Sequence, residues 1–210
     1  SGKTMEKLFS KFRKNNNEEQ NELFLIIGLG NPGPDYKNNR HNVGFMAVSE
    51  IAKKLDVEFS RVQNKSLVTK ANHAGKRIIL AKPQTFMNLS GHAVSSLRRF
   101  YKIPTANLLI LFDDVDLPFE TLRLRAEGGS SGQKGMKSII QSLGTQDFPR
   151  LRIGIDRPPG KMRTPDYVLQ NFSKSQSENL PWVINRAAEA SLLFVAEGIN
   201  SAMSKFNQIE

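Results

Sequence analysis

Two five-residue apolar runs, Leu23–Ile27 and Leu108–Phe112, constrain this chain more than any other feature. Neither alternates with polar residues, and both stop abruptly, one at Gly28 and the other at Asp113-Asp114. Such runs fit strands covered on both faces, the pattern of a parallel sheet with helices above and below it. Elsewhere the period changes. Phe45, Val48, Ile51, Ala52 and Leu55 recur at helical spacing. Further helices are predicted over Ala93–Tyr101, ahead of Pro104, over Met136–Leu143, up to Gly144, and over Trp182–Glu197, with Gly198 just past its end. Ser66–Ala71 and Arg77–Ala81 read as paired strands about Gly75, and Thr121–Arg125 and Leu151–Ile155 as further strands. The interleaving predicts a single-domain α/β three-layer sandwich over residues 23–210, one mixed twisted sheet with helices on both faces. Residues 1–22 are polar and carry Asn15, Asn16 and Asn17 in a row, so a flexible N-terminal arm is expected there. Its start, Ser1-Gly2-Lys3-Thr4, imitates the end of a phosphate-binding Walker loop without the upstream strand and first glycine, and reads as a tag remnant or tail.

The 210 residues include no cysteine, which excludes thiol catalysis, thiolate zinc sites and iron–sulfur clusters. With three histidines a His-rich centre lacks ligands, and neither metal nor cofactor is expected. The 30 Lys and Arg against 20 Asp and Glu give a net charge of +10. That charge points to a polyanionic partner, nucleic acid before an anionic membrane. Surplus lysine kept for solubility would produce the same charge with no such partner. No apolar run approaches the ~20 residues of a membrane span. An apolar secretory core is absent and the arm's glutamates argue against a transit peptide, so a cytoplasmic location is expected, with an organelle left open.

Three motifs suggest chemistry. Gly28-Leu29-Gly30-Asn31-Pro32-Gly33 matches a dinucleotide fingerprint, yet Pro34 to Asn39 follows where a helix should open onto the pyrophosphate. Gly128-Gly129-Ser130-Ser131-Gly132 matches a nucleophile elbow, but His41, His73 and His92 all precede Ser130, the reverse of hydrolase order. A flexible loop that lets a phosphate backbone approach suits that composition better. Asp113, Asp114 and Asp116 close the second apolar strand, where they either hold magnesium or orient a histidine.

Four blocks stand out together: Gly28 to Gly33 with Tyr36; Arg40-His41-Asn42-Val43-Gly44; Lys82-Pro83-Gln84-Thr85-Phe86-Met87-Asn88-Leu89-Ser90-Gly91; and Asp113-Asp114-Val115-Asp116-Leu117-Pro118. With these blocks, and Phe148 to Ile155 after them, the chain resembles the bacterial-type peptidyl-tRNA hydrolases from about Leu23 to its end. The resemblance implies an α/β monomer, without obligate protein partner, that cleaves the ester joining a peptide to the terminal ribose of tRNA. It would thereby recycle tRNA released prematurely from ribosomes. By the same resemblance His41 is the general base, Asp113 its orienting partner, and Asn31 and Asn88 the substrate-positioning amides. Tyr36, Phe86 and Met87 then line the cleft.

The chemistry is consistent with those residue types. An ester needs only an activated water, for which a near-neutral histidine suffices. A carboxylate behind it fixes the tautomer, and asparagine amides donate to a developing oxyanion. Plainer readings exist for each block taken alone. Asn31-Pro32-Gly33 suits a turn, Phe86 and Met87 suit a core, and Asn88-Leu89-Ser90 suits a helix cap. Between Thr121 and Arg163 lie nine basic residues (Arg123, Arg125, Lys134, Lys137, Arg150, Arg152, Arg157, Lys161 and Arg163) against three acids. This segment is the expected tRNA surface, with Arg123, Arg125 and Arg152 on its strands; a charged edge that blocks strand pairing is the alternative. One departure from the resemblance stands out. Gly132-Gln133-Lys134-Gly135 occupies the place of the commoner Gly-His-Asn-Gly. Gln133 and Lys134 are therefore expected to contact substrate or tRNA differently, with Lys134 reaching a phosphate from a loop of little bulk. A non-catalytic RNA-binding relative, like a plant chloroplast splicing factor of this fold, is the alternative function. A dinucleotide-binding protein is a more remote one.

Overall fold

The structure, a computed structural model, describes Met5, Lys7 and residues 22–208. The expected arm lies outside the described residues except for Met5, Lys7 and Glu22. Seven strands form one sheet: β1 (Leu23–Gly28), β2 (Arg61–Gln63), β3 (Ser66–His73), β4 (Lys76–Pro83), β5 (Leu108–Asp114), β6 (Leu122–Arg125) and β7 (Arg150–Gly154). Their order is β2-β3-β4-β1-β5-β7-β6. β1 runs parallel to β4 and β5, and β5 parallel to β7, whereas β2, β3 and β6 pair antiparallel. From residue 22 on, the α-helices are α1 (Val43–Lys54), α2 (Ser90–Tyr101), α3 (Lys134–Leu143), α4 (Thr164–Val168), α5 (Lys174–Glu197) and α6 (Ile199–Phe206).

The two apolar runs supply both cores by strand alternation. Phe24, Ile26, Leu109 and Leu111 pack with α1, α5 and α6, while Leu25, Ile27, Leu108, Ile110 and Phe112 pack with α2 and α3. Each of these side chains, taken fully out of water, contributes about 1.5–3 kcal/mol. This is the three-layer α/β sandwich that the interleaved pattern predicts.

Several boundaries differ from expectation. α2 begins at Ser90 rather than Ala93 and takes in Gly91, where a Cβ would lie 2.2 Å from the Ser138 carbonyl oxygen of α3. That glycine marks close helix packing, not a loop. α5 begins at Lys174, eight residues ahead of Trp182, and carries Pro181 inside it. A capping box between Ser173 and Gln176 starts the helix, and Pro181 removes only one bond from its ladder. β2, α4 and α6 lie outside the expected elements; at three, five and eight residues they are too short for periodicity to mark them.

One close approach positions everything that follows. A Cβ on Gly28 would sit 2.0 Å from the Gly44 carbonyl oxygen, and one on Gly44 would sit 2.4 Å from that of Leu111. The first turn of α1 therefore rests directly on the ends of β1 and β5. Backbone bonds lock the contact: Leu29 N–H donates to Leu111 O at 2.9 Å and Phe45 N–H to Leu29 O at 3.2 Å. Hence the leading glycine of the apparent dinucleotide fingerprint serves helix-to-sheet packing, and Gly30 faces the Phe45 ring. Between Gly33 and Val43 the chain makes two 3-10 turns, Pro34–Tyr36 and Arg40–Asn42, and the α-helix opens only after them.

Candidate active site

β1 has β4 on one side and β5 on the other, so the chain changes direction across it, the usual place for a site in an α/β sheet. A cleft of about 920 Å³ opens there, with Asn31, His41, Asp113 and Gln133 among its lining residues. His41 belongs to a single 3-10 turn, Arg40–Asn42, set immediately before α1. Because α1 sits hard against β1 and β5, this turn is carried to Asp113 at the end of β5. His41 Nδ1 lies 2.8 Å from Asp113 Oδ2, and both residues are buried. An ionised Asp113 requires the proton on Nδ1, which leaves Nε2 as the lone-pair nitrogen. Desolvation opposes the imidazolium, but the Asp113 charge and hydrogen bond together outweigh it, and the Lys134 ammonium pulls back. The net effect holds the His41 pKa above its ordinary 6.5.

The asparagines are oriented by backbone. Asn31 Oδ1 accepts the Met87 N–H at 2.8 Å, so its Nδ2 is the end of the amide left to donate elsewhere. Asn42 grips the Asn31 backbone at both points, accepting its N–H at 2.9 Å and donating to its carbonyl at 3.0 Å. Asn88 is exposed on the cleft wall in the single turn Met87–Leu89. It does not cap α2; Ser90 Oγ instead donates to Met87 O at 2.7 Å. Phe86 and Met87 both line the cleft but differ in burial: Phe86 is 58% exposed, whereas Met87 is buried and packs into the second core. Only the second of them is core.

Gln133 lines the cleft from the position just ahead of α3. It is buried and caps α3, its Oε1 accepting the Met136 N–H at 2.8 Å. Its Nε2 donates to Asp113 Oδ1 at 3.0 Å and lies 3.3 Å from Met87 Sδ. Lys134 is the first residue of α3 rather than part of the loop, and its exposed side chain stands at the cleft with Lys137.

Other expected site residues lie elsewhere. Tyr36 is half-buried on its own 3-10 turn and does not line the cleft. Arg123, Arg125 and Arg152 sit on β6 and β7, away from the cleft lining. Arg152 Nε binds Asp114 Oδ2 at 2.6 Å, and that carboxylate is fully buried. Arg150, part of the basic segment in the sequence, is buried; it donates to the carbonyls of Gly128, Gly129, Gln146 and Phe148, tethering the glycine loop. Burial, with Arg152 nearby, lowers its pKa to about 10. Asp113, Asp114 and Asp116 thus turn to three different partners, His41, Arg152 and Arg157. Among the described residues no three acidic or histidine side chains gather to hold a metal. None of the helices is long and apolar enough to cross a membrane, again among the described residues.

Sequence reasoning misses one part of the lining. Thr164, Pro165, Val168 and Leu169, from α4 and the residue after it, also line the cleft. Thr164-Pro165-Asp166 does carry a helix-start signal, proline in the first turn followed by an acid. Asn42 stands out in the sequence only as a neighbour of His41, and nothing in its spacing announces the grip on Asn31.

The family model for peptidyl-tRNA hydrolase matches residues 25–210. A peptidyl-tRNA hydrolase of Chloroflexus aggregans is 47% identical over 188 residues, 89% of this chain and 100% of that protein. One from Roseiflexus castenholzii is 50% identical over 186 residues, 88% of this chain and 87% of that protein. The crystal structure of peptidyl-tRNA hydrolase from Acinetobacter baumannii superposes with a TM-score of 0.84 at 32% identity, covering 90% of this chain and 96% of the other.

Proposed function

The chain belongs to the peptidyl-tRNA hydrolase family, and from that premise we propose that His41 is the base with which it hydrolyses the ester between peptide and tRNA. The observation that carries the reading is the His41–Asp113 pair at 2.8 Å, set in a cleft beside the outward end of the Asn31 amide. His41 Nε2 takes a proton from water as the oxygen attacks the ester carbonyl. Asp113 stabilises the imidazolium so formed. Asn31 Nδ2 and the Asn88 amide donate to the carbonyl oxygen as it gains charge, or to the first peptide group. When the tetrahedral intermediate collapses, the imidazolium returns the proton to the departing ribose oxygen. Water is consumed, and a free peptide acid and a tRNA hydroxyl result.

Phe86 offers a ring for stacking an unpaired terminal base, and Lys134 and Lys137 supply cations for the phosphates leading to it. Arg123 and Arg125 extend this basic surface along the sheet edge, whereas Arg152 is engaged by Asp114. The protein acts as a monomer without an obligate partner, in the cytoplasm. The test is hydrolysis of N-acetyl-aminoacyl-tRNA by the purified protein. The wild type releases the acylated amino acid, while His41→Ala loses turnover by at least about 10³-fold and still binds tRNA. Binding of tRNA with no release at any enzyme concentration would replace this reading with the non-catalytic one.

A further inference from the structure

We infer that Gln133 is a positioning residue for the catalytic pair, a neutral amide strut that fixes the Asp113 carboxylate between the N-terminus of α3 and His41. This rests on the hydrolase reading above and adds to it a residue that acts through Asp113.

The polarity of the strut follows from its neighbours. Met136 N–H can only donate, so it must meet Gln133 Oε1; an ionised Asp113 Oδ1 can only accept, so it must meet Nε2. The amide therefore has one permitted orientation. Each oxygen of Asp113 has its own donor, Gln133 on Oδ1 and His41 on Oδ2, and the carboxylate plane is held at two points. One end of the series is anchored to a helix terminus, and each bond polarises the next. Gly135 permits the approach: a Cβ there would lie 2.5 Å from Met87 Sδ and 3.0 Å from Gln133 Oε1. Because an amide does not titrate near neutrality, the support given to Asp113 is constant with pH.

The charged groups near the pair each have a place. Lys134 acts on His41 directly and Lys137 stands on the same cleft. Asp114 is held by Arg152 and Asp116 by Arg157. Arg40, beside His41, donates to Tyr167 O and Gln176 Oε1. Among the described residues no other carboxylate lines the cleft to take over the support of His41.

Gln133→Met keeps side-chain length and removes both polar ends. An Asp113 deprived of one donor holds its charge less comfortably and draws more strongly on the imidazolium. The acidic limb of the kcat/KM profile is then expected to move up by about one pH unit. In parallel kcat falls roughly tenfold while KM for acylated tRNA stays within about twofold, since the bound ends of the substrate are untouched. Gln133→Ser is the control for capping. Serine is a favoured N-cap but too short to reach Asp113, so it keeps α3 capped and still displaces the limb. The His41 imidazole titration, followed by NMR in the free protein, reports the same displacement without turnover. This readout separates a failure of the inference from a failure of the hydrolase reading. Coincident acidic limbs and His41 titrations for wild type, Gln133→Met and Gln133→Ser would overturn the inference. A rise in KM with kcat unchanged would also overturn it, making Gln133 a binding group.

Discussion

Asp113→Asn is the most informative single change, because the surrounding hydrogen bonds dictate which way the new amide must point. Gln133 Nε2 donates toward the Oδ1 position at 3.0 Å, so the asparagine carbonyl has to face Gln133. Its NH₂ group is thereby turned toward His41 Nδ1, 2.8 Å away in the wild type. Two donors cannot meet, so Nδ1 must become the acceptor and the imidazole proton moves to Nε2, the nitrogen that should receive a proton from water. The substitution therefore converts the base into the wrong tautomer without altering shape. The same exchange in Ser-His-Asp hydrolases lowers kcat by roughly 10⁴, and a fall of about 10³–10⁴ is expected here, with KM close to wild type. The pH dependence should invert as well. In the wild type His41 is held above 6.5, so the pair adds stability that is complete below pH 6.5 and disappears as pH rises through the raised value. In the variant, burial and Lys134 remain while both influences of Asp113 vanish. The His41 pKa then falls below 6.5, and stability is lost as pH drops from 6.5 toward it. Initial rates on acylated tRNA, chemical denaturation across pH 5 to 8 and the imidazole nitrogen shifts measure all three. A variant within tenfold of wild-type kcat would refute the tautomer argument.

Other perturbations follow from the same geometry. Gly44→Ala forces a Cβ against the Leu111 carbonyl and the Leu29 backbone; a loss of about 3 kcal/mol in urea unfolding is expected, with activity lost even where the fold survives. Lys134→Asn should reduce the slope of log affinity for tRNA against log salt by about one unit. The same variant should raise the His41 pKa, because Lys134 opposes the imidazolium; a salt titration and an NMR titration read the two effects separately. Arg152→Ala leaves the fully buried Asp114 carboxylate without its cation. It should cost about 3 kcal/mol of stability, yet shift tRNA affinity less than Lys134→Asn does.

Much of the layer architecture is legible in the residue pattern alone. Phe24 to Ile27 and Leu108 to Phe112 are apolar at every position, and no half-exposed strand tolerates that. Helix periodicity around them then requires two covering layers. The aspartates at the end of β5 and the histidine before α1 stand where periodicity stops, which marks them as more than packing residues. Composition by itself removes thiol and thiolate-metal chemistry. Boundaries blur wherever a residue's usual meaning is overridden by a neighbour in space. Gly91 looks like a loop but serves the contact with α3, and Pro181 looks like a helix stop but lies downstream of a strong cap.

The site divides along the same line. Residue types alone leave a histidine and any of three clustered aspartates as candidates, and the family resemblance is what singles out His41 and Asp113. Tertiary structure separates the three aspartates by partner, Asp113 beside His41, Asp114 beside Arg152 and Asp116 beside Arg157. It also bonds Gln133 to Asp113, ties Arg150 to backbone carbonyls and Arg152 to Asp114, and brings α4 into the cleft lining. The physical reason is range. Burial and periodicity act between residues three or four apart and leave a mark on the sequence, whereas the partner of a buried charge is fixed by the packing of elements tens of residues apart.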